Sequence, residues 1–153
     1  MRAMQSLFAF LHHVAAFALV GALAAEFVLI RGELGERTAA RMLAADAVYG
    51  ASAGIVVVVG LLRVFYFEKG AAYYLHSIPF LLKFALIVIA GGLSMFPTRE
   101  YLSWYKSLKQ GRAPVLDERK RASLRRIIHI ELALVVLILL CAALMARGVG
   151  YLG

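Results

Sequence analysis

His12, Arg63 and Lys83 are the residues of this chain whose chemistry suits a flat, anionic cofactor. A neutral imidazole ligates haem iron, and guanidinium or ammonium groups stabilise propionates where water is scarce. A second set, Glu26, Asp46 and Glu131, offers carboxylates suited to binding a proton or a cation, with Tyr49 and His129 nearby in predicted depth. All of these lie within or at the ends of apolar runs, where ionisable groups are rare and either partnered or functional. Each has a plainer reading. A histidine can simply bond a neighbouring backbone, and Lys83 can snorkel to the headgroups with its stem in lipid. His76, at an interface, can be merely solvated. A haem with two axial histidines needs a second one at the depth of His12, and only His76 stands near.

The element that must position His12 and Glu26 is the stretch from Ser6 to Ile30. Its only ionisable groups are His12, His13 and Glu26. At about 1.5 Å per residue it exceeds the ~30 Å hydrocarbon core of a bilayer, so it reads as a transmembrane helix. A signal peptide is the rival, but this run is too long and carries histidines and an acid. At about 100° per residue, His12 and Glu26 fall within roughly 40° of one face. Gln5, Ala9, Ala15, Ala16 and Ala22 share that face, and small residues let membrane helices approach closely. His13 shares its side with Phe10, Phe17, Val20 and Phe27. His12 is therefore the expected inward histidine.

The chain has 153 residues, 63% of them hydrophobic and 17% charged, which fits one integral membrane domain, 1–153, and not an average soluble protein. The net charge of +8 collects in the connections between apolar runs, favouring anionic headgroups over nucleic acid. The one cysteine, Cys141, lies in an apolar run, reads as a small buried hydrophobe and permits no internal disulfide. No nucleophile motif, phosphate loop or spaced zinc site is present.

Four spans are expected, at about 6–30, 48–67, 79–97 and 127–146. The second helix starts near Glu36 or Arg37, before its span, and carries Gly50 and Gly54 at small-x-x-x-small spacing. Pro79 opens the third, where its missing donor costs nothing, and the helix is expected to end near Pro97. Pro79, Lys83, Ile87, Ala90, Ser94 and Pro97 form its inward strip. The connection 98–126 reads as an amphipathic segment lying on the membrane, with Tyr101, Trp104, Tyr105 and Leu108 toward lipid. Asp117 is placed to cap the last helix. Tyr66, Tyr73 and Tyr74 read as an interfacial belt.

Arg31, Arg37 and Arg41 share one side with nine further lysines and arginines between Arg99 and Arg126. The other side holds little beyond Arg2, Arg63, Lys69 and Arg147. Positive-inside then puts both long connections in the cytoplasm and both termini in the periplasm of a bacterial inner membrane. Four antiparallel spans make an all-α, four-transmembrane-helix bundle.

Leu11-His12 followed by Gly21, a basic residue ending the second span, and FLLKFALIV with Lys83 near the start of the third resemble bacterial four-helix membrane proteins of the HemJ-type protoporphyrinogen oxidase and CopD group. More closely, the chain is similar to a predicted membrane-protein family of that broad group. The resemblance implies b-type haem, a redox role on porphyrin or within the membrane, His12 as iron ligand and Lys83 in the catalytic position. It departs at Leu81, where the HemJ-type pattern has a histidine. Three functions follow: a haem-dependent membrane oxidoreductase; a non-enzymatic bundle assembling with itself or a redox partner; and a small proton- or metal-handling transporter using Glu26, Asp46 and Glu131.

Overall fold

The computed structural model describes residues 2–67 and 71–152. Residues 68–70, with Lys69, lie outside the described part, as do the side chains of Arg2 and Phe67. The chain folds into helices α1 (Arg2–Leu29), α2 (Glu36–Leu62), α3 (Ala71–Leu75), α4 (Ile78–Ser103), α5 (Tyr105–Lys109) and α6 (Glu118–Ala146). A π turn, Arg63–Phe67, prolongs α2. Four helices are long and apolar enough to cross a membrane. They form an antiparallel bundle in which α1 packs on α2 and α6, and α4 completes the ring against both.

Lipid is the solvent that explains the surface. Phe10, Phe17, Val58, Val88 and Val136 are exposed around the bundle, where a water-soluble protein would carry charge. The second spanning segment, Glu36–Tyr66, has 31 residues. At ~1.5 Å per residue that is about 46 Å, well beyond the hydrocarbon thickness. Part of this helix must therefore stand outside the hydrocarbon.

The tightest packing lies at the end of the bundle that joins α1 to α2. There Leu23, Ile30, Met42, Tyr101, Leu124 and Ile128 are fully buried. Arg121 fastens α6 to the α1–α2 turn through the carbonyls of Ile30 and Gly32. Glu100 accepts from Trp104 Nε1 at 3.4 Å and pairs with Lys120 at 3.2 Å, joining α4 to α6.

Two expectations for α4 need correction. The helix does not end at Pro97 but continues through it to Ser103, with Pro97 buried. Proline removes one backbone bond, but packing in a membrane bundle tolerates that loss. The gain is the burial of Tyr101 and Trp104, which face the core and not lipid. Their large apolar area outweighs the interfacial role that aromatic residues often take. The connection 98–126 is accordingly not one surface segment. Its first part belongs to α4, α5 follows, and α6 begins at Glu118 with Asp117 at the N-cap position, though the Asp117 side chain makes no capping bond. Gly50 and Gly54 face outward with open space beside them, so their spacing serves no contact inside the bundle.

The C-terminal tail folds back on the α3–α4 junction. Ile78 N–H donates to the Gly150 carbonyl at 3.0 Å, and Leu152 N–H to that of His76 at 2.9 Å. Tyr151 stacks on Tyr73 with centroids 4.4 Å apart. Gly150 has φ +76°, and a Cβ there would stand 2.9 Å from Pro79 Cδ. Gly150→Ala should therefore release the tail, at a cost of about 1–3 kcal/mol for the strained backbone. Limited proteolysis should cut the variant's tail several-fold faster, with the helical content unchanged.

Candidate functional site

Each long helix sends polar side chains into the tightly packed end. Glu26 comes from the last full turn of α1. Asp46 and Tyr49 come from α2, three apart and so on one face. Thr98 and Tyr101 repeat that spacing on α4, and Glu131 comes from α6. Tyr101 Oη donates to Glu26 Oε2 at 3.3 Å, Tyr49 Oη to Glu131 Oε1 at 3.4 Å, and Thr98 Oγ1 to Asp46 Oδ1 at 2.8 Å. Glu26 is 2% exposed and Glu131 1%, so neither carboxylate meets solvent. Asp46 and Glu131 both act electrostatically on Glu26. The second oxygen of Glu26, Oε1, is buried without a hydrogen-bond partner.

Two cations at this end serve other groups. Arg31 lies over the Phe27 ring at 3.9 Å, and Arg121 holds the α1–α2 turn. His129 is exposed, with its ring against Phe27 at 4.7 Å and Nδ1 2.6 Å from the Arg125 carbonyl. It is thus not part of the carboxylate layer. The structure does bring Glu26, Asp46 and Glu131 together with Tyr49. Thr98 and Tyr101 were missed in the sequence, and their signal was present: i, i+3 spacing on the inward strip, once the helix is carried past Pro97. Among the described residues no three His, Cys, Asp or Glu side chains are gathered closely enough to hold one metal ion.

The second layer lies toward the other end of the bundle. His12 is half-buried in the α1 seam, whereas His13 is exposed and bonds back to Ala9. His12 Nδ1 is buried without a hydrogen-bond partner, and the Val56 backbone acts on the ring. A Cβ on Gly60 would stand 3.3 Å from His12 Cε1, so the ring lies close against α2 where that residue is smallest. The charges of Lys83, on α4, and Arg63, at the start of the π turn, both reach the imidazole. π turns widen a helix locally and recur at functional sites. Three helices thus contribute to one layer. His76 is exposed beside the C-terminal tail, and Cys141 is buried on α6.

This arrangement defines an integral membrane four-helix protein with two internal polar layers. The chain belongs to the family described as "Predicted membrane protein (DUF2214)", whose model matches residues 4–150. No curated protein and no solved structure matches it.

Proposed function

We propose that the protein is a haem-b-binding membrane redox protein, in which His12 would hold the iron. The observation that supports it is the His12 imidazole turned into the α1–α2 seam, its Nδ1 buried and unpartnered, with Arg63 and Lys83 in electrostatic reach. A ligating histidine ordinarily presents one nitrogen to the metal and donates from the other to a carbonyl. Here the Val56 backbone acts on the ring, and the buried Nδ1 is without a hydrogen-bond partner. Gly60 permits the close approach of the ring, and a larger residue there would push it away.

The residues fit the group in three respects: a histidine held in the bundle, a small-residue cradle and two cations for propionates. They supply one imidazole only, since His76 and His129 lie elsewhere. Bound haem would supply one-electron transfer within the membrane. The chain's own residues would orient the imidazole through α2, neutralise carboxylates through Arg63 and Lys83, and keep water away with the surrounding apolar helices. Lys83 also holds the position that the HemJ-type resemblance assigns to catalysis. The family match itself says nothing of haem.

The same reading places the protein in a bacterial inner membrane. Its basic connections face the cytoplasm against anionic headgroups, and both termini are periplasmic. A periplasm-dependent reporter fused at Leu152 should be active, and a cytoplasm-dependent one should work at Gly111. The reverse pattern would overturn this orientation.

The haem assignment is tested by the absorption spectrum. Protein expressed with ample haem should purify coloured, with a Soret band that shifts on dithionite reduction. His13→Ala should keep the band. A colourless, folded preparation that takes up no added hemin would overturn the proposal.

A further inference from the structure

We propose that Glu26, with Asp46 and Glu131 around it, forms a reversible proton-binding site separate from the His12 layer. The inference does not rest on haem. Its first support is the gathering of three carboxylates from three helices in the best-packed part of the molecule. The second, independent support is Glu26 Oε1, a polar atom that is buried and has no partner in a side chain only 2% exposed.

The groups that face Glu26 are known from each packed helix. They are Asp46 and Tyr49 on α2, Tyr101 on α4 and Glu131 on α6. Two of these are acids and two are hydroxyls, and none brings positive charge. Of the cations at this end, Arg31, Lys120 and Arg121 are engaged with Phe27, Glu100 and the α1–α2 turn, and no described cation is among the groups acting on Glu26. Three ionised carboxylates away from water, with only hydroxyl donors against them, would cost far more than the bundle can supply. A positive charge must come from outside the protein.

A proton is the occupant that the geometry accommodates. The carboxylates are too dispersed for one metal ion to be held by three of them. A proton needs only one oxygen, and Glu26 Oε1 is buried and without a hydrogen-bond partner. No bond other than O–H forms or breaks: water delivers the proton to a carboxylate oxygen and takes it back. Asp46 offers the route, because its partner Thr98 is only half-buried.

Infrared difference spectra of the whole purified protein, between acid and alkaline buffer, test this directly. The expected result is a reversible carboxylic-acid carbonyl band that moves on deuteration. Glu26→Gln, which keeps shape and removes the acid, should lose most of that band while leaving helicity intact. Tyr101→Phe, which removes a hydroxyl and no charge, should shift the band's frequency, and it serves if Glu26→Gln fails to fold. A band unchanged in both variants, or no titrating carboxylic acid at all, would overturn the proposal. So would a band displaced by sodium or calcium at fixed pH, which would make the site one for a metal cation.

Discussion

Tyr101→Ala should be among the most destabilising single substitutions in the bundle. The side chain is 0% exposed, its ring packs on Trp104 with centroids 4.9 Å apart, and its hydroxyl is the only described donor to Glu26. Truncating a buried aromatic residue costs about 3–5 kcal/mol, and leaving a buried acceptor without its donor adds about 1–3 kcal/mol. Tyr101→Phe keeps the ring and should pay only the second cost. Reversible unfolding in mixed micelles or bilayers, followed by helicity, would separate the two variants. A Tyr101→Ala protein as stable as wild type would mean that this residue faces lipid, as the amphipathic pattern of 98–126 suggests.

The second large effect is expected at Gly60. A leucine there would place its Cβ 3.3 Å from His12 Cε1 and direct further carbons at the ring. The imidazole would have to leave the seam, and haem occupancy should fall at least tenfold, equivalent to about 1.4 kcal/mol of binding. Gly54→Leu is the matched control, because nothing lies within 4 Å of that position. It should leave occupancy unchanged. Equal loss in both variants would point to a general effect of bulk on α2, and unchanged occupancy in both would remove Gly60 from the ligand's cradle.

The bundle was legible in the sequence because lipid imposes one demand throughout. An apolar run of this length must satisfy its own backbone bonds, so helix is its only form. The seam of α1 was legible for a related reason: Ala15, Ala22 and Glu26 recur on one side, and all three are buried. The depth arguments also brought Glu26, Asp46 and Glu131 into one layer, and His12, Arg63 and Lys83 into another.

What misled lay beyond Pro97. Local rules make proline a helix end, and aromatic residues beside lysines read as an interfacial belt. Tertiary packing decided otherwise, since α4 had to continue for Tyr101 and Trp104 to fill the space beside Met42 and Ile128. Tyr101 and Thr98 were lost from the site for that reason alone. His129 failed in the opposite way. It had the right depth for Glu26, but depth does not fix which way a side chain turns, and its ring turned to Phe27.

The central claim, that His12 ligates haem iron, is tested most directly by removing the side chain and returning its imidazole. His12→Gly should purify with little or no Soret absorbance and take up hemin weakly. Free imidazole should restore the band and its reduced-state shift, because the ligand is then supplied from solution to an otherwise intact seam. The same addition should leave His13→Gly unchanged, since His13 is exposed and bonded to Ala9. A His12→Gly protein that keeps the wild-type spectrum without imidazole would contradict the account.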